Sequence, residues 1–345
     1  MQDVRQQRSQ WMLLVPISNL TLTEAVNFEI TIERVTFIDG SKLPQRRRRF
    51  GFPDTISALR TRHRAINRVF ESGTCFAVLR RAGKIDDFEE LALALIRDEL
   101  ALLNLSKLGY AKRSQIASPS ISRERPTGSR SYLILRTDGK AWSQPNQAVG
   151  NLGALRLDGV WKRFHEKGFF HTLIRIIRGE IHVSKAWRRD LRNAAILVGQ
   201  SQTSSDVPQA FLWNMIALEL LLTEQGDKYS EELPARAEAF LGWIGFWGQE
   251  NFAERIREVY TKRSAFVHAG RRDLITRQDL FFTDDLLFNI LINIIGHHRL
   301  FKDKTDVVSF SKRVQAEHLL GVNAKVRPKS LRFLRRFYSE KDFQP

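Results

Sequence analysis

A chain of 345 residues, 43% of them hydrophobic, is long enough for two folded domains and too apolar to be disordered. Lys and Arg total 55 against 38 Asp and Glu, a formal net charge of +17 that favours polyanionic partners through counterion release. No uncharged apolar run reaches membrane-spanning length, and one cysteine, Cys75, can form neither an internal disulfide nor a thiolate zinc site, so a soluble protein of the reducing cytoplasm is expected.

The first third reads as strands. Positions 28–38, "FEITIERVTFI", alternate apolar and polar, the period of one half-buried strand. Positions 74–81 and 131–137 repeat that composition and end at Gly83 and at Asp138-Gly139. Between them 86–103 reads as a helix, with Leu91, Leu95, Ile96 and Leu102 at helical spacing and four acids at its amino end. The arginine run Arg46, Arg47, Arg48 and Arg49 reads as a solvated loop able to hold an RNA backbone. Residues 114–131 are polar and loop-like, and a second break runs from 142 to 153.

Helical periodicity then persists, predicting helices over 160–178, 185–198, 209–223, 233–247, 252–267 and 277–300. Beyond 303 the chain is basic. The expected organisation is α+β: a strand-rich domain over 1–150 that would suit a sensor, a helical bundle over 151–303, and a basic tail over 304–345.

Two helices carry polar residues where none is expected. "FLWNMIALELLLT" at 211–223 is apolar nearly all round, which suits the middle of a bundle, and Glu219 is its single charge. A buried carboxylate needs a cation or a proton, so Glu219 should meet Arg263 or Arg236 unless it reaches solvent. In the last long helix Asp285, Asn289, Asn293 and His297 form one stripe, either its wet side or the lining of a cleft.

The segment "YTKRSAFVHAG", 260–270, sets Arg263 five positions before His268 and ends on Gly270, which can close a helix. Spacing alone is weak, because Arg313 and His318 repeat it in a plain polar helix. Together with "ALELLLT" at 217–223 and "LPARAEAFLG" at 233–242, the segment resembles the HEPN superfamily, most closely its Apea-like branch, over roughly 206–299. The resemblance implies a four- to five-helix bundle that dimerises and brings the Arg and His motifs of two chains into one cleft. Many such proteins are metal-independent ribonucleases, often in phage defence or toxin systems, while others are inactive RNA-binding or protein-interaction modules.

On that reading Arg263 and His268 are catalytic, Glu219 orients Arg263, and Tyr260, Ser264 and Asn289 support. Arg271 and Arg272 join the arginine run as nucleic-acid contacts. Residues five apart on a straight helix point about 140° away from each other, so the helix must unwind near Val267 or two chains must contribute. The sequence holds no phosphate loop of the G-x-x-x-x-G-K-[ST] type, no H-E-x-x-H and no G-x-S-x-G, so neither a metal nor a cofactor is expected.

Overall fold

The computed structural model describes residues 10–50, 75–82, 88–113, 115–122, 132–135, 141–144, 153–241, 252–321, 337–338 and 342. The chain divides into two compact units, Met1–Leu100 with Arg113–Lys162, and Ala101–Lys112 with Arg163–Pro345. The class is α+β, strands gathering in the first unit and helices in the second.

In the first unit the strands are β1 (Gln10–Ser18), β2 (Leu20–Leu22), β3 (Glu29–Thr31), β4 (Thr36–Asp39), β5 (Cys75–Ala82), β6 (Ile116–Ala117), β7 (Ser120–Ile121), β8 (Tyr132–Leu135), β9 (Ala141–Gln144) and β10 (Gly153–Leu157). The main sheet runs β3-β4-β5-β1-β7; β2-β10-β6 form a parallel sheet and β8-β9 a hairpin. Central β5 is buried on both faces from Cys75 to Leu79, which its unbroken run of apolar residues permits.

The strand expected over 28–38 is instead a hairpin: β3 and β4 pair antiparallel, Glu29 opposite Ile38 and Thr31 opposite Thr36. Its turn is fixed from far away. Glu99, in helix α2 (Phe88–Leu105), accepts the backbone N–H groups of Glu33 at 2.9 Å, Arg34 at 2.7 Å and Val35 at 2.8 Å. The alternating pattern ran on through the turn and concealed it. The buried stripe of α2 is Ala92, Ile96, Glu99 and Leu103, whereas Leu91, expected inside, is exposed.

The arginine run is helical rather than a loop. Helix α1 (Leu43–Arg46) continues into a 3-10 turn, Arg47–Phe50. Leu43 and Phe50 pack with Ile38, Phe76 and Val78; of the intervening arginines Arg48 and Arg49 are exposed, and Arg46 and Arg47 are half-buried.

The second unit holds α4 (Phe170–Ile177), α5 (Lys185–Thr203), α6 (Val207–Leu222), α7 (Tyr229–Leu241), α8 (Phe252–Ala269), α9 (Arg277–Gly296) and α10 (Lys304–Leu320); the short α3 (Gly159–Glu166) precedes them. The predicted helix over 160–178 is therefore two, parted around Gly168, a residue that disfavours helix interior. The part of the 233–247 prediction beyond 241 lies outside the described residues.

Central α6 packs against α5, α7, α8, α9 and α10, as its all-round apolar surface requires. Asp206 caps it, accepting from the Gln209 N–H, and Pro208 sits in the first turn, where a missing N–H costs nothing. The boundary expected at 303 falls between two helices of this unit, since α10 buries Val307, Val308 and Val314 and packs against α7. Among the described residues no helix is long and apolar enough to cross a membrane.

Candidate functional site

The stripe on α9 turns out to be neither wet nor a cleft lining. Asp285, Asn289 and Asn293 are buried. Asn289 Nδ2 donates to its own helix at the Asp285 carbonyl, 2.7 Å, and Asn293 Nδ2 donates to the Phe240 carbonyl, 3.0 Å. Asp285 accepts the Phe337 N–H at 3.0 Å, and His297 Nδ1 lies 2.9 Å from the Asn293 carbonyl oxygen. Burial forces each polar group to find a partner inside the unit, and Asn289 finds one within its own helix.

Glu219 is 8% exposed, and its Oε2 accepts from Arg263 Nη2 at 2.9 Å. Burial pushes its carboxyl above the ordinary glutamate value, and the neighbouring guanidinium pulls the other way. The alternative partner is engaged elsewhere: buried Arg236 donates to both oxygens of Asp227, at 2.7 and 3.0 Å, and to the Leu222 carbonyl at 2.8 Å. Of Glu219, only Oε2 is satisfied; Oε1 is buried with no hydrogen-bond partner, as is Arg263 Nε.

Arg263 sits on α8, whose buried residues include Ile256 and Val259. Tyr260 and Phe266 are half-buried, and Val267 is exposed. Tyr260 lies one turn below Arg263, its ring centroid 5.9 Å from the guanidinium carbon. Burial, followed by the negative charge of Glu219, raises its phenol above the ordinary tyrosine range. Ser264 is half-buried.

His268 is exposed in the last turn of α8. The helix runs unbroken to Ala269 and closes on Gly270, whose φ is +65° and whose N–H donates to the Phe266 carbonyl at 3.0 Å. No unwinding occurs at Val267. Within one chain Arg263 and His268 therefore project about 140° apart.

The basic residues proposed for nucleic acid already have carboxylate partners in several cases. Arg271 makes a two-point contact with Asp273, 3.0 Å at each oxygen, and Arg272 reaches Asp206 at 2.5 Å. These pairs are exposed, and exposed pairs are weak enough for a phosphate to displace them. In the other unit Glu29 holds Arg46 at 2.6 Å and Arg49 at 2.5 Å, Arg47 donates to the Pro44 carbonyl at 3.3 Å, and Arg48 is exposed.

A cavity of about 250 Å³ adjoins the pair, and no motif signalled it. It lies at the end of α6, where Glu219 and Thr223 meet the 224–226 turn, Tyr229 of α7 and Lys304 of α10. Among the described residues no group of three or more His, Cys, Asp or Glu side chains is placed to hold a metal. No family model, curated protein or solved structure matches this chain.

Proposed function

We propose that the protein is a metal-independent endoribonuclease of HEPN type, acting as a homodimer. One observation carries the reading most: a guanidinium anchored by a buried carboxylate stands five residues before an exposed imidazole on one straight helix. The net charge of +17 suits an RNA substrate.

The chemistry follows from those groups. His268 takes the proton of a ribose 2′-hydroxyl, whose oxygen then forms a bond to the adjacent phosphorus. The bond from phosphorus to the 5′-oxygen breaks, and that oxygen takes up the proton that His268 removed. The products are a 2′,3′-cyclic phosphate and a 5′-hydroxyl. Arg263 of the second copy holds the non-bridging oxygens with paired hydrogen bonds and stabilises their charge as it grows. Glu219 aims Arg263 without touching substrate.

A second reading, an inactive module that holds RNA or a protein, is favoured by one feature. The Arg263 side chain is only 17% exposed, which suits a structural ion pair.

Purified protein should degrade single-stranded RNA with chelator present, and His268→Ala should abolish this while circular dichroism stays unchanged. Equal cutting by parent and variant assigns the activity to a contaminant. RNA retardation without cutting, with a steep salt dependence, selects the inactive module.

A further inference from the structure

Positive charge is concentrated where α4 ends and α5 begins. Between positions 175 and 192 stand six cations, Arg175, Arg178, Lys185, Arg188, Arg189 and Arg192, against two acids, Glu180 and Asp190. On α5 the four cations fall within about 100° of one another around the axis, opposite buried Trp187 and Leu191. Lys185 and Arg189 are exposed, Arg188 and Arg192 half-buried. Gly179 joins this row to α4. Its φ is +81°, and a Cβ there would stand 2.9 Å from Arg188 Nη1, so the missing side chain lets that guanidinium lie against the turn that follows Arg178.

The acids do not cancel this charge. Glu180 is one carboxylate shared by two guanidiniums, Arg175 at 3.3 Å and Arg178 at 3.4 Å. Asp190 lies 3.9 Å from Arg189 and 3.7 Å from Lys304. Among the described residues neither Lys185 nor Arg188 has a carboxylate in ion-pair contact. A further cation arrives from another segment: the Lys302 carbonyl accepts the Ser184 N–H at 2.8 Å, and Lys302 is exposed. The acid beside it, Asp306, is occupied with the N–H groups of Lys302 and Asp303, at 2.9 and 2.8 Å.

Local helix physics disfavours this arrangement. The first turn of a helix rewards acids, yet α5 has none there and places Lys185 at its first position. The end is also held firmly, since the Ser184 side chain accepts the Trp187 N–H at 3.1 Å and the Trp187 indole donates to the Phe301 carbonyl at 3.2 Å. A fixed cluster of cations at the positive end of a helix fits an anion from outside. Five of the six are arginines, whose planar fork matches phosphate oxygens. Among the described residues no large apolar side chain between 175 and 192 is exposed, so nothing here would insert among lipid acyl chains.

We infer that the α4–α5 corner is a docking surface for the phosphate backbone of RNA, gripping the strand whatever its sequence. The inference rests on the RNA reading above and adds to it where the substrate is held.

The test measures binding of a fluorescent single strand, 2′-fluoro substituted so that it cannot be cut, to the full-length protein in chelator over a range of salt. The triple variant Arg175→Gln, Lys185→Gln, Arg189→Gln should flatten the slope of log affinity against log salt by about 2, from about 0.7 per lost contact, and weaken binding about a hundredfold at 0.1 M salt. Its melting temperature should not fall, because the removed lysine opposes the helix dipole. Should it fold poorly, Lys185→Gln alone should flatten the slope by about 0.7. A control that loses the same charge elsewhere, Lys228→Gln, Lys312→Gln, Arg313→Gln, should keep the parent slope. Equal losses in both triple variants would show that net charge alone binds RNA and overturn the surface. So would sedimentation of the parent with phosphatidylserine vesicles that the first triple variant abolishes while RNA binding persists. If the parent binds and cuts RNA and the first triple variant binds as tightly, only the surface fails. If the parent neither binds nor cuts RNA, the surface fails together with the RNA reading.

Discussion

Arg263→Ala is expected to lower the rate of RNA cleavage by about 100- to 1,000-fold, the usual consequence of deleting a donor aimed at charge that develops in the transition state. The same change strands Glu219, a residue 8% exposed, without its cation. Removing one partner of a buried ion pair costs about 3–5 kcal/mol. The lower end applies, since 17% of the arginine side chain reaches solvent. Lost stability must therefore be separated from lost chemistry. The double variant Arg263→Ala with Glu219→Gln removes the stranded charge as well. It should recover much of the stability and none of the cleavage. Arg263→Lys keeps the charge but not the two-point grip, so its rate should fall between parent and alanine variant. Undiminished cleavage by a folded Arg263→Ala protein would remove the guanidinium from the mechanism.

The second large effect concerns the other unit. Glu99→Ala should destabilise the first unit by about 3–5 kcal/mol, measured by chemical denaturation. Three N–H groups, of Glu33, Arg34 and Val35, lose their acceptor at once. A buried orphan, here the Val35 N–H, costs about 1–3 kcal/mol; the part-buried N–H groups of Glu33 and Arg34 cost less, because the freed turn can relax toward water.

A pH signature accompanies this. Burial pushes the Glu99 carboxyl above its ordinary value, against the pull of the three N–H groups. A group whose folded value is raised binds its proton more tightly in the folded state. Its contribution is complete below the ordinary glutamate range and is lost as pH rises through the raised folded value. The stability gap between parent and Glu99→Gln should therefore narrow as pH rises through that window. A gap that widens over the same interval would show that the N–H groups win over burial.

How much of this was legible in the sequence differs from element to element. Glu219 stood out because a lone charge in an all-apolar helix has few physical options, and one of the two arginines named for it is the partner found. Helices α5 to α9 were legible because packing on one face or all round writes a period into the chain. Gly270 marked a helix end correctly for the same local reason, since its positive φ suits glycine.

What failed depended on partners outside the local helical or strand period. The hairpin of β3 and β4 needs Glu99, more than sixty residues later, to hold its turn. The α9 stripe looked wet because its partners, the Phe240 carbonyl and the Phe337 N–H, come from other segments. Arg236 looked like a candidate for Glu219 because nothing local reveals that Asp227 already holds it. The arginine run looked like a loop because Leu43 and Phe50, which bury its two ends, are seven residues apart. The cavity beside Glu219 could not be read at all, since three helices and a turn contribute to its wall.

The unbroken course of α8 carries the most weight, because it sets Arg263 and His268 about 140° apart, so the proposed site draws on two copies. The direct measurement is complementation: Arg263→Ala and His268→Ala proteins, each inactive alone, are co-expressed in equal amounts and assayed on single-stranded RNA in chelator. A site shared between two copies predicts recovery of about a quarter of the parent rate, since random pairing gives some dimers one intact Arg–His combination. A mixture as inactive as either variant alone, with mixed dimers demonstrably present, would contradict the shared site.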